Sequence, residues 1–236
     1  MRLGIMQPYF FPYLGYFSLI QQVDKFILLD TVQFIRHGWI ERNRILNPNG
    51  GWQYIRVPLQ KHTRETKIED IKIDNTQAWN EKILSQLQHY KNIAPNYLTV
   101  KNVIENTLNK ECFNIVDLNY MTLCAICDYI GIKTSIHIFS KMNLVIDPVT
   151  SPDEWALNIC KKIDGATEYW NPTGGMAFFD PQKYQNSKIE LKFQKVKLRE
   201  YDQKREVFET GLSIIDILMF NSIETVKEML NDYELL

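Results

Sequence analysis

Met1-Arg-Leu-Gly-Ile-Met-Gln-Pro-Tyr-Phe-Phe-Pro-Tyr-Leu-Gly-Tyr-Phe-Ser-Leu-Ile20 is the stretch on which the reading of the fold turns. Leu3 to Met6 is a short apolar run, the length of a buried strand, and Gln7-Pro8 ends it. Phe11-Pro12 turns the chain, and Tyr13 to Gln22 continues as a helix. A strand feeding a helix through a sharp turn is how an α/β fold builds a ligand site at the carboxyl end of a strand. Tyr9, Phe10, Phe11, Tyr13 and Tyr16 crowd this turn, with Phe17 following. So many rings cannot all face water, and some must pack beneath the sheet. Gly15 permits close backbone approach.

Asp24-Lys-Phe-Ile-Leu-Leu-Asp30 supplies the second buried strand, four apolar residues between aspartates. One helix separates it from the first, so the pair forms a βαβ unit with parallel strands and a right-handed crossover. The class is α/β with a mainly parallel sheet, whose strands include Leu3–Met6, Phe26–Leu29, Ile136–Phe139 and Thr167–Trp170. Asp30 then falls at the same sheet edge as Gln7. It serves there as a functional carboxylate or as a cap on the following turn.

Thr31 to Leu46 follows that edge and packs Arg36, His37, Trp39, Arg42, Asn43 and Arg44 closely together. Arg42 and Arg44 offer planar forks for phosphate or carboxylate. His37 titrates near neutrality and can act as acid or base, as can Asp30. The plainer alternative has both arginines as solvated surface charges and Trp39 as a core plug.

The second dense motif is Ala166-Thr-Glu-Tyr-Trp-Asn-Pro-Thr-Gly-Gly-Met176. Thr167 to Trp170 reads as a strand, and Asn171, Pro172, Thr173, Gly174 and Gly175 as a loop. Adjacent glycines can turn backbone N–H groups onto an anion, or simply make a turn. No Walker Lys-Ser/Thr follows. Because parallel strands emerge on one edge, Gln7, Tyr13, Tyr16, Asp30, His37, Arg42, Asn43 and Arg44 are expected to line one pocket closed by Asn171 to Gly175.

Elsewhere, Trp52 to Pro58 and Ile189 to Val196 alternate as strands, and Lys67 to Ile73 reads as a short one. Asn75 is placed to cap a helix carrying Trp79, Ile83, Leu87 and Tyr90 at helical spacing. Further helices run from Pro95 to Leu108 and from Phe113 to Ile130, ended by Gly131. Another covers Asp153 to Ile163. Gly211 to Phe220 is an apolar helix with Ser213 and Asp216 as its polar positions, and Ser222 caps the last. His89 lies beside the Trp79 to Tyr90 stripe and reads as a bystander, while His137 sits among apolar neighbours and reads as a hydrogen-bonded core histidine.

At 236 residues the chain is expected to be one α/β domain, 1–236, with a mostly helical segment at about 75–131. Its 45% hydrophobic content is ample for a core, and a net charge of -1 without blocks of like charge argues against capture of nucleic acid or membrane. No apolar run reaches the roughly 18 residues of a spanning helix, and a signal peptide is not apparent. The expected setting is the cytoplasm. Cys124 and Cys127 form a C-x-x-C inside an apolar helical pattern rather than at a helix start, and Cys112 and Cys160 are isolated. Core cysteines, with no cysteine-held metal, is the reading that fits.

Taken together, Gln7 to Phe17, Asp24 to Phe34, Gly38-Trp-Ile-Glu-Arg-Asn-Arg-Ile45, Asn171 to Gly175 and Leu212-Ser-Ile-Ile-Asp-Ile-Leu218 resemble the WbqC-like protein family. That resemblance spans essentially the whole chain. It implies a place among proteins of bacterial O-antigen and other surface-polysaccharide clusters. A glycine-transferase role on an amino sugar is suggested for that family. A fainter likeness in layout, to the nucleotidyltransferase and pantothenate synthetase group, implies a Rossmann-like (HUP-like) sheet. Those enzymes carry a His-x-Gly-His motif that steadies ATP phosphates. Here Tyr13 and Tyr16 stand at those positions, neutral at pH 7. If ATP is the cofactor, Arg42 and Arg44 must supply the charge.

Two classes of function follow. One is a transferase or ligase joining glycine or another small acyl group to the amine of a nucleotide-linked amino sugar. His37 or Asp30 would be its base, Arg42 and Arg44 would grip the donor carboxylate or diphosphate, and the aromatic loop would stack on a ring. Its acyl donor stays open between a free amino acid with ATP, a charged tRNA and a thioester. The other is a non-catalytic sugar-nucleotide-binding or assembly factor using the same residues.

Overall fold

The computed structural model describes residues 1–236. Its centre is a six-stranded sheet built from β1 (Arg2–Met6), β2 (Lys25–Leu28), β5 (Ser135–Ile138), β6 (Glu168–Pro172), β7 (Glu190–Val196) and β8 (Tyr233–Leu235). The spatial order is β5-β2-β1-β6-β7-β8, parallel throughout except that β8 runs against β7. This is the mainly parallel α/β architecture expected from the βαβ argument, with Gly4 opposite Phe26 and Ile5 opposite Ile27.

Side-chain alternation assigns the two faces. Phe26, Leu28, Ile138 and Trp170 join one large core with α1 (Leu14–Gln22), α2 (Trp79–Gln86), α3 (Tyr97–Leu108) and α4 (Ile115–Ile130). Helices α7 (Ile214–Phe220) and α8 (Ile223–Leu230) belong to that same core. Leu3, Ile5, Ile27 and Tyr169 face the other way, onto α5 (Glu154–Lys162) and Tyr184 of α6 (Pro181–Asn186). Gly4 is required where it stands: a Cβ there would lie 2.8 Å from the Phe26 ring.

Several local expectations are corrected. Trp52 to Pro58 does form a strand, β4 (Trp52–Arg56), but it joins an antiparallel ribbon with β3 (Arg42–Leu46), apart from the main sheet. Lys67 to Ile73 is not a strand. Ile68 and Ile71 are three apart, the period of a 3-10 turn, and Ile68–Asp70 forms one between single bridges. Asn75 does not cap α2; its side chain donates to the Cys112 carbonyl and accepts from Trp79 Nε1. Helix α3 starts at Tyr97, because Asn96 donates to the Leu218 and Asn221 carbonyls instead. Ser213 is not inside α7 but caps it, its Oγ accepting from the Ile215 N–H. Helix α6 and strand β8 were not anticipated.

The four cysteines are unbridged. Burial pushes Cys160 up to about 12 and raises Cys124 and Cys127. No three His, Cys, Asp or Glu side chains stand close enough to share a metal ion. No helix is long and apolar enough to cross a membrane.

One buried polar cluster ties the helical layer to the ribbon. Asp216, in the first turn of α7, accepts from the hydroxyls of Tyr90 (2.6 Å) and Tyr201 (2.5 Å) and from Gln203 Nε2 (2.9 Å). The Tyr90 hydroxyl in turn accepts from the Leu46 N–H of β3. Burial raises the Asp216 pKa, and the three donors oppose that rise. Replacing Asp216 by Ala leaves the Tyr90 and Tyr201 hydroxyls without their acceptor in the interior, while Gln203 keeps its bond to the Glu209 carbonyl. The expected loss is about 3 kcal/mol of stability, read from urea unfolding; an unchanged midpoint would show the cluster to be dispensable.

Candidate functional site

The order of the strands reverses at β1 and β6, which pair in parallel. β2 and β5 lie to one side of that pair, β7 and β8 to the other. Ligands of open α/β sheets bind at such a switch point, outside the carboxyl ends of the strands. A cavity of about 650 Å³ lies there. Met6, Tyr9, Pro12 and Tyr13 come from the end of β1 and the turn into α1. Asn171, Pro172, Gly174, Gly175, Phe178 and Phe179 come from the end of β6 and beyond. Trp39 comes from the turn before the ribbon and Asn43 and Arg44 from β3 itself, Pro152 and Asp153 from before α5, and Leu198 and Gly211 from the segment after β7.

Arg44 is the one cation among these residues. Its guanidinium lies between two indoles, 5.4 Å from the Trp39 ring and 5.2 Å from the Trp52 ring. One Nη donates to the Gly211 carbonyl at 3.2 Å, while the buried Nε has no partner in the protein. Asn43 fixes the aromatic loop, donating to the Phe10 carbonyl at 3.0 Å and accepting from the Arg44 N–H at 2.8 Å. Tyr9 and Tyr13 bring phenols whose pKa values are raised by burial, and for Tyr9 also by Tyr13. They are neutral hydrogen-bonding groups at pH 7, not bases.

Asn171 accepts from the Tyr169 hydroxyl at 2.9 Å and donates to the Pro172 carbonyl. The expected open Gly-Gly loop is corrected: β6 runs on to Pro172, and Thr173–Phe178 is a 3-10 helix. Neither glycine adopts positive φ. Gly175 instead makes room for Asn171, whose Nδ2 would lie 2.5 Å from a Cβ at that position. Thr173 itself does not line the cavity.

The remaining nominated residues lie elsewhere. The fully buried Tyr16 donates to the Gln7 carbonyl at 2.8 Å and packs edge-on against Phe26; neither Tyr16 nor Gln7 reaches the cavity. Of the two positions compared with paired histidines, only Tyr13 faces the site. Asp30 is buried and accepts from the Ser140 N–H (3.0 Å) and hydroxyl (2.5 Å), which fastens the end of β2 to the turn after β5. Burial raises its pKa against those bonds. Arg42 folds back onto its own turn, donating to the His37 and Gly38 carbonyls over the Tyr54 ring. His37 occupies that turn with φ 64° and opens onto a separate cleft.

Asp153, Phe178, Phe179, Leu198 and Gly211 are lining residues that motif reading missed. Ser151-Pro-Asp-Glu154 carries a helix-start pattern that marks where Asp153 sits, but nothing local aims it at the cavity. Burial would raise the Asp153 carboxyl; hydrogen bonds from Ser151, the Asp180 N–H and Lys183 outweigh it and hold it below the usual value.

The cavity therefore combines one flat cation, neutral phenols, an engaged carboxylate and aromatic walls, with no histidine or lysine among its lining. One guanidinium matches a carboxylate or diphosphate better than the denser charge of a triphosphate, so the donor set is a poor fit to ATP. Fold and site together define an α/β protein with an aromatic-walled cavity at the switch point of its sheet, carrying one guanidinium. The model of the WbqC-like protein family matches residues 7–228, and the chain belongs to that family. It is similar to the uncharacterised protein Rv1507c of Mycobacterium tuberculosis, with 30% identity over 220 residues, 92% of each chain. No solved structure matches it.

Gly15 does not touch the cavity; it seats Tyr13. A Cβ on Gly15 would lie 2.5 Å from the Tyr13 ring. Gly15→Ala should therefore cost about 1–3 kcal/mol through overpacking. In a Tyr13→Ala background the same change should be almost harmless, a coupling that a double-mutant cycle reads directly. Additive costs would show that Gly15 acts on something other than Tyr13.

Proposed function

We propose that the protein binds a nucleotide-linked amino sugar in the switch-point cavity and transfers a small acyl group, glycine being the candidate, to its amine during surface-polysaccharide synthesis. The observation that carries this reading is the guanidinium of Arg44, within cation–π distance of both Trp39 and Trp52 at a cavity walled by aromatic rings. Such a geometry suits a diphosphate or carboxylate beside a base or sugar ring. Tyr9, Tyr13 and Asn171 would then bond sugar hydroxyls. In the transfer, the amine lone pair attacks the acyl carbon, the C–N bond forms and the bond to the leaving group breaks. An activated donor, thioester or aminoacyl ester, lets its leaving group carry off the amine's proton. A strong protein base is then unnecessary, which accords with a cavity lacking imidazole.

A second reading is favoured by one observation. The two residues nominated as bases, His37 and Asp30, both stand away from the cavity, and Asp153 is already engaged by Lys183. A non-catalytic factor that binds the same nucleotide sugar needs nothing more than is present.

Mass spectrometry of the protein mixed with nucleotide amino sugars, glycine, ATP and activated glycine donors separates the two. A product heavier by one glycyl group supports transfer; saturable binding without product supports the factor. In either case Arg44→Ala should weaken nucleotide-sugar binding by about 1.5–3 kcal/mol, the usual worth of a charge-assisted hydrogen bond. Arg44→Lys should recover little, because an ammonium neither forks nor stacks between indoles. Titration calorimetry on both variants checks this, and wild-type affinity in Arg44→Ala would remove the cavity from the reading.

A further inference from the structure

A second cleft, of about 310 Å³, opens beside the ribbon and is lined by Arg36, His37, Glu41, Arg56 and His62 among others. Glu41 is only 7% exposed, and its buried Oε2 receives no hydrogen bond. His62 Nδ1 lies 2.9 Å from the Gln60 carbonyl oxygen. A carbonyl only accepts, so Nδ1 carries the proton of the neutral ring and Nε2 is an acceptor. That Nε2 is also buried and without a partner. Two buried acceptors without a donor, on residues that line one cleft, are a costly arrangement, and they call for a ligand that brings several hydrogens. They are not a metal site, since no three suitable ligands converge.

The same cleft also carries the opposite need. Arg36 makes one long bond, 3.4 Å, to the His62 carbonyl, and both Arg36 and Arg56 line the cleft without a salt bridge to a carboxylate. Two such guanidiniums are suited to an anion. A ligand meeting both needs carries an ammonium and a carboxylate.

We propose that this cleft binds a small amino acid as its zwitterion, with the ammonium toward Glu41 and His62 and the carboxylate on Arg36 and Arg56. Burial raises the Glu41 pKa, with Arg42, Arg56 and His37 opposing. A bound ammonium adds a further positive charge beside that carboxylate. This does not rest on the reading of the larger cavity. The two sites share the segment from His37 to Arg44 as a common wall, His37 and Glu41 on one side and Trp39, Asn43 and Arg44 on the other.

Titration calorimetry of the full chain against a panel of small amino acids tests it, with methylamine and acetate as single-headed probes. At least one amino acid should bind saturably, and both single-headed probes far more weakly. Glu41→Gln and, separately, the exposed Arg56→Ala should each lower that affinity about tenfold or more, with thermal melting near wild type. Having two variants guards against one that fails to fold. The proposal is overturned if no panel member binds at millimolar concentration, if acetate or methylamine alone binds as well as an amino acid, or if both variants bind as the wild type does.

Discussion

Three segments far apart in sequence are stitched together by hydrogen bonds centred on Ser213, and the cavity depends on that knot. Its N–H donates to the Arg44 carbonyl at 2.8 Å, and its Oγ donates to the Phe11 carbonyl at 2.7 Å. The next N–H, of Ile214, donates to Pro12 at 2.9 Å. The ribbon returns the contact, since Phe10 N–H donates to the Trp39 carbonyl and Asn43 to the Phe10 carbonyl. These groups are buried, so each bond would be costly to leave unmade. The knot also holds Phe11 at φ 39°, a left-handed conformation that a bulky residue adopts only when its surroundings enforce it.

With the knot in place, the site follows from geometry. Tyr13 is presented at the start of α1, over a glycine that leaves room for its ring. Arg44 is carried by β3 to a point where its guanidinium meets two indoles, one from the ribbon and one from the turn before it. The segment after β7 reaches over to meet the same arginine at Gly211. Asp216 and its two tyrosines anchor that segment from the far side, so the covering strap and the helical layer are held by one buried carboxylate.

Much of this was legible in the sequence, for identifiable reasons. Strands β1 and β2 are short, mostly apolar runs of the kind a sheet buried on both faces requires, and their parallel pairing follows from the helix between them. The ribbon was half legible. Trp52 to Arg56 alternates, but Arg42 to Leu46 is half polar and is a strand because its partner and the Ser213 knot make it one. Gathering the aromatic turn, the Trp39 to Arg44 segment and the end of β6 at one edge needed only the parallel-sheet rule. Sorting Arg44 from Arg42, or Tyr13 from Tyr16, needed the backbone. Arg42 satisfies its own turn and Tyr16 the Gln7 carbonyl, and a motif cannot display carbonyls that point inward.

The knot has a consequence for the order of events in time. Ser213 and Phe11 are separated by 202 residues, and the bond between them closes the longest loops the site contains. Contacts of such separation form late, after the local helices and hairpins that shorten the path between their ends. On the ribosome, the aromatic turn is made 202 residues ahead of its partner. A nascent chain therefore carries Tyr9, Phe10 and Phe11 without their final cover until Ser213 has been made. Such transiently uncovered rings are the kind of surface on which chaperones act. The cavity is absent until the last helices emerge, so no partly synthesised copy can hold substrate in it.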